Sequence, residues 1–155
     1  MKTKKFLFVL LALFLTAPVM HSQKSVDQLF NDFSKEKGVT HVSIGKFTMT
    51  LVSLFQKDVK GVDGVEVLAF DECGQSVKDK LNQAIASLKD GNYETMVSVN
   101  EDSERTKILV NVKDDTIREL VVLTTGDDPA MIRIKGKIKP SDVDAIIKNN
   151  KPDKK

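Results

Sequence analysis

The chain has 155 residues, 41% of them hydrophobic and 30% charged, with 24 Lys+Arg against 22 Asp+Glu. That length suits one domain with a sizeable core, and a lone cysteine, Cys73, excludes an internal disulfide. The charge balance lacks the clustered basic field that nucleic-acid binding needs: without the leader lysines Lys2, Lys4 and Lys5, 21 basic face 22 acidic residues, a formal charge of −1.

The first segment reads as a targeting signal. Lys2, Lys4 and Lys5 form a basic start, and FLFVLLALFL follows. That apolar run falls short of the ~20 residues a spanning helix needs. Pro18 and VMHSQ then offer a peptidase site. The alternative is an uncleaved anchor helix. The reading expects a secretory signal peptide over residues 1–22, a single domain over 23–150 and a disordered tail over 151–155. No cysteine lies near the cleavage region. The chain is therefore expected to be exported, periplasmic or extracellular, without a lipid anchor.

Ser25 to Gln28 has the hydroxyl-to-Gln spacing of a capping box. Val26, Leu29, Phe30 and Phe33 recur at helical spacing behind it, which predicts a helix over 25–36 stopped by Gly38. VTHVSIGKF is either a strand or the lead-in to a second helix through TMTLVSLFQKDV. VEVLAF, 65–70, is near-continuously apolar, as a central strand would be. Ser76 opens another helix, with Val77, Leu81, Ala84, Ile85 and Leu88 as its stripe.

Strands are predicted over 93–100, 105–113, 116–124 and 130–138, joined by turn formers such as Asp114-Asp115 and Gly126-Asp127-Asp128-Pro129. Short links imply antiparallel pairing. A last helix from Pro140 would turn Val143, Ile146 and Ile147 inward. The sum is an α+β fold: an antiparallel sheet of about five to six strands with helices packed on one face.

The last three strands carry apolar residues on both faces. Ile108, Val110 and Val112 alternate with Lys107, Leu109, Asn111 and Lys113. Ile132, Ile134 and Ile138 alternate with Met131, Arg133, Lys135 and Lys137. The isoleucine and valine rows are expected to face the helices, since the alternate rows are charged. A two-residue turn at Asp114-Asp115 would pair Val110 with Glu119 and bury a carboxylate. A three-residue turn, Asp114 to Thr116, pairs Val110 with Leu120 instead and turns Glu119 outward beside Asn111. That register leaves Leu109, Val121, Leu123 and Met131 on the outer face, rimmed by Lys107, Lys113, Arg133 and Lys135. An apolar patch with a basic rim is the composition of a contact surface. A homodimer through this face, or an envelope protein partner, is the expected use. The bland alternative is an open sheet face with a few exposed aliphatics.

Motifs for chemistry are sparse. His41 is the one histidine outside the leader, and nothing in the sequence places it beside Cys73. Cys73 reads as a buried, inert thiol. No His or Cys pair suits zinc. Asp71-Glu72 and Asp127-Asp128 lack the alternating spacing of a calcium loop, and GVDG, 61–64, lacks the rest of a phosphate loop. No catalytic residue, metal or cofactor is expected.

FSKEKGVTHVSIGKFTMTL, VEVLAF, YETMVSVNE and KILVNVKDDTIRELVVLTTGDDPAMIRIKGKI, in that order, resemble a small exported Bacteroidetes domain-of-unknown-function family, numbered forty-two fifty-two. DDTIRELVVL and the later IKGKI are the most specific pieces. The resemblance implies fold and compartment but no catalytic residue. The family includes lipoproteins, and this chain lacks their lipobox cysteine. Its genes often lie near extracytoplasmic sigma and anti-sigma genes, which implies an alternative role as an accessory of that signalling. The leading expectation is a non-catalytic module that binds protein or itself. A hydrolase-like enzyme with an unrecognised carboxylate site is the remaining alternative.

Overall fold

The computed structural model describes residues 24–45 and 61–143. The order is α1 (Val26–Phe33), β1 (Thr40–Ile44), β2 (Val62–Ala69), α2 (Gln75–Ser87), β3 (Glu94–Glu101), β4 (Glu104–Lys113), β5 (Thr116–Thr124), β6 (Ala130–Ile138) and a 3₁₀ turn, Pro140–Asp142. The six strands form one open antiparallel sheet in the order β1-β2-β6-β5-β4-β3. This is the expected α+β architecture. The expected helix through TMTLVSLFQKDV, the leader, the tail and the stretch holding Ile146 and Ile147 lie outside the described residues.

The capping box of α1 forms as the sequence predicts. Ser25 Oγ accepts from the Gln28 N–H at 3.2 Å, and the Gln28 side chain accepts from the Ser25 N–H at 3.0 Å. A further free N–H, that of Val26, donates to Asp90 Oδ2 at 3.0 Å, so a distant loop completes the cap. Val26, Leu29, Phe30 and Phe33 are all buried on one side of the helix. In α2 the start is Gly74 rather than Ser76, and Leu81, Ile85 and Leu88 turn inward. Lys107 donates to the Leu88 carbonyl at 3.3 Å, placing a cation where a helix C-terminus favours one.

Both helices pack on the same face of the sheet. Their apolar residues form one core with Leu68, Phe70, Leu109, Val121, Leu123 and Met131. Phe33 meets Phe70 edge to face, with centroids 5.7 Å apart. Val62, Ile108, Val110, Ile117, Leu120, Ile134, Ile138 and Val143 form a second cluster. Strand alternation puts Ile108, Val110, Leu120 and Ile134 on the opposite face. The sheet is therefore apolar on both faces, and the expected assignment of faces is inverted: α1 and α2 cover the row that also carries charges.

The predicted register of the β4–β5 pair is correct, but the turn that produces it is not the predicted one. Val110 pairs with Leu120, Ile108 with Val122, and Asn111 with Glu119. The hairpin itself has two residues, Asp114 and Asp115, at φ 53° and 54°, the sign a primed two-residue turn requires. The extra residue enters at a bulge at Arg118, between the Val112–Ile117 and Asn111–Glu119 pairs. At the other end of β2, Gly61 (φ +90°) crosses Gly136 so closely that a Cβ on Gly136 would lie 2.1 Å from the Gly61 carbonyl oxygen. That same oxygen accepts from the Lys137 N–H at 2.7 Å.

Candidate functional site

The expected contact surface is not a surface. Val121, Leu123 and Met131 have no exposed area and Leu109 is 4% exposed, because α1 and α2 lie over them. Arg133 is buried and Lys107 half-buried; of the four rim residues only Lys113 and Lys135 are exposed. The physical reason is that charge on a strand row does not force that row outward when its partners are also inside. Lys107 reaches a helix carbonyl, and Arg133 finds carboxylates.

The arginine is the centre of a polar network spanning the covered face. Glu66 pairs across β2–β6 with Arg133 and takes its Nε–H at 3.1 Å. Glu119 lies 3.5 Å from Nη1, and Asp27, in the first turn of α1, meets the same nitrogen. The guanidinium carbon stands 4.2 Å from the centre of the Phe30 ring, a cation–π contact. Glu119 also accepts from the Tyr93 hydroxyl at 2.7 Å. Glu66 lies 3.0 Å from His41 Nε2. The order His41, Glu66, Arg133, Glu119, Tyr93 thus runs across the sheet. Glu119 points inward, against the sequence expectation, and its charge is matched there rather than stranded.

Chemically this network is a fastener. Arginine does not release its proton, and its donors are directed at carboxylates. Burial, reinforced by the hydrogen bond to Glu119, pushes the Tyr93 hydroxyl far above the usual phenol range, so it stays a donor. Cys73 stands apart, buried, with its Sγ 3.8 Å from the Lys37 carbonyl. Burial raises its thiol above the ordinary value, which disfavours the nucleophilic thiolate. Among the described residues no three His, Cys, Asp or Glu side chains gather as metal ligands would. An open cleft of about 290 Å³ beside β1 is lined by Ser43, Asp63, Glu66, Arg133 and Lys135. Two of its charges, partly buried Glu66 and buried Arg133, are already paired with each other.

The apolar side chains most open to water lie chiefly at the sheet margins. β3 is an edge strand, and all eight of its residues, ETMVSVNE, are exposed. Met96, Val97 and Val99 are 49%, 36% and 41% exposed. On the face away from α1 and α2, the pairing builds an unbroken β-branched row through all six strands: Val42, Val67, Ile132, Val122, Ile108, Val97. The row beside it is Thr40, Ala69, Ala130, Thr124, Thr106, Val99. Neither row contains a charge. Among the described residues both end at the edge strands, β1 and β3. Sequence reading placed β3 correctly but not at an edge, because edge position depends on the β2–β6 pairing, which has no local signature.

Taken together, these features define, among the described residues, an open-sheet α+β module with an ionic fastener around buried Arg133 on one face and, on the other, a largely buried apolar face whose two uncharged rows run to the edge strands β1 and β3. The chain belongs to the family described as Domain of unknown function (DUF4252), whose model matches residues 33–146. No curated protein and no solved structure matched the chain.

Proposed function

We propose that the chain is an exported, non-catalytic module that works by binding protein along its open β3 edge. One observation carries this reading: an eight-residue edge strand with three large apolar side chains in water. Natural sheets blunt such edges with lysine, proline or short strands. β3 contains neither residue; its two acids, Glu94 and Glu101, stand at its ends, and the Met96 bulge is the one irregularity between them. An edge of this kind takes an added strand: main-chain hydrogen bonds provide affinity and alternate side chains provide selectivity. The basic, apolar leader supports export. The non-catalytic reading is supported by the network above, where the polar groups of Glu66, Arg133, Glu119 and Tyr93 are engaged with one another.

The test is a photo-crosslinking amino acid placed at Val97 or Val99 in the full precursor, with Gln83 on exposed α2 surface as control. Adducts of discrete mass at 97 and 99, absent at 83, are expected in the exported fraction. Equal labelling at all three positions would overturn the reading. Fusion of the leader to a reporter active only outside the cytoplasm tests export; an inactive fusion would refute it.

A further inference from the structure

We infer that the strand received by β3 is β1 of a second copy of this chain, so that molecules join head to tail into a continuous sheet. This rests on the β3-edge reading above and names its partner. The topology permits it by simple repetition. Six strands, all antiparallel in sequence along the sheet, make the two edge strands β1 and β3 run in opposite directions. A copy displaced along the sheet therefore presents β1 antiparallel to β3, with the same face outward.

The side chains match in that arrangement. The β-branched row ends at Val42 on one edge and Val97 on the other, 47% and 36% exposed. Joining edges continues the row from Val97 into the next copy's Val42. The adjacent row passes from Val99 into Thr40. On the opposite face, His41 and Ser43 meet the Thr95 and Ser98 side, polar and uncharged on β3. Met96, the extra residue of the bulge, stays outside the ladder.

Charge selects this pairing over the symmetric one. Glu94 and Glu101 bound β3, and exposed Asp102 and Glu104 follow. Two β3 strands pairing with each other would set Glu94 against Glu101 at both ends, like charges in direct opposition. The approach to β1 carries exposed Lys35 and Lys37 instead. Antiparallel docking brings that end of β1 toward Glu101, Asp102 and Glu104. Two β1 strands pairing would leave both β3 edges bare. A heterologous contact of this sort closes into a ring or extends as a helical filament, according to the rotation between copies.

Complementation of two variants of the full mature chain decides it. Val42→Lys spoils only the β1 edge and Val97→Lys only the β3 edge, and both positions are exposed, so circular dichroism should match wild type. By light scattering, the wild-type mass is expected to rise with concentration beyond two chains. Each variant alone should run as one chain. Their equimolar mixture should reach the mass of two chains and stop, since one sound junction remains. Glu101→Lys should weaken wild-type assembly at least tenfold, and Lys37→Glu in the same chain should restore it. A wild type that stays monomeric at every concentration overturns the proposal, as does a Val42→Lys chain that still assembles. In either case, discrete crosslinks from Val97 to another protein would leave the β3-edge reading standing, and their absence would remove both.

Discussion

Replacing Arg133 with methionine tests whether the buried network holds the fold. The substitution keeps an apolar stem of similar length but leaves Glu66 and Glu119 without their cation. Those side chains are 24% and 15% exposed, and Arg133 itself only 6%. Removing one partner of a buried ion pair costs about 3–5 kcal/mol, mostly for the charges left behind. Asp27 adds little, because its side chain is 81% exposed and water replaces the arginine there. Loss of the stack on Phe30 adds about 0.5–2 kcal/mol. Against a domain stability of about 5–15 kcal/mol, the variant should unfold at a much lower urea concentration. The assay is urea denaturation followed by circular dichroism at pH 7. Adding Glu66→Gln and Glu119→Gln to the methionine variant should recover much of the loss, since neutral amides tolerate the site better than bare carboxylates. A single-variant loss below about 1 kcal/mol would place the network among weak surface pairs and refute the reasoning.

Other outcomes follow from single groups. Tyr93 is the only tyrosine and tryptophan is absent, so absorbance at 295 nm titrates one residue. Its folded pKa is raised by burial and then by Glu119, so its contribution is full below the unfolded value of about 10 and is lost as pH climbs toward the folded value. The native step should lag well behind the urea-unfolded one, and coincident midpoints would refute this. Asp90 responds in the opposite direction: burial pulls its carboxyl up, but hydrogen bonds from the Val26 and Asn92 N–H groups prevail and hold it below the usual range. Asp90→Ala should cost about 1–2 kcal/mol at pH 7. That gap to wild type should narrow as pH falls below about 4; a gap unchanged at pH 3 in urea melts would contradict it. Gly136→Ala pushes a methyl into the Gly61 carbonyl and within 3.0 Å of Val62 Cα. Because these are backbone atoms, about 1–3 kcal/mol should be lost, whereas Gly91→Ala, with nothing within 4 Å, should melt like wild type.

Local features were legible from sequence where the physics is local. The Ser25–Gln28 box, the stripes of α1 and α2 and the three C-terminal strands all depend on residues within one or two turns of each other. The β4–β5 register was also legible, since only one pairing keeps Glu119 out of the row of Val110 and Ile108. The turn was misread because Asp114 and Asp115 both adopt positive φ and the compensating residue sits three positions on, at Arg118. The covered face was misread for a different reason. Arg133 meets its partners at separations of 67 and 106 residues for Glu66 and Asp27. Alternation alone cannot distinguish a charge facing water from one facing a carboxylate that arrives from a remote element.

That inversion moves the functional question to the margins of the sheet. With α1 and α2 fastened over Leu109, Val121, Leu123 and Met131, a partner cannot use those residues without first opening the core that Phe30 and Arg133 close. Among the described residues of the sheet, the edge strands β1 and β3 and the ends of two uncharged rows stay exposed. Apolar rows that run unbroken to both edges are a liability in a solitary molecule, since each edge is a template for another strand. The acidic residues around β3 limit that liability selectively: they repel a second β3 while leaving a basic-flanked strand acceptable. The distribution of charge along the edges, more than the core, is therefore where binding behaviour should change on substitution. Reversing Glu101 tests this most directly, because it leaves the row intact and alters only the sign of what β3 will accept.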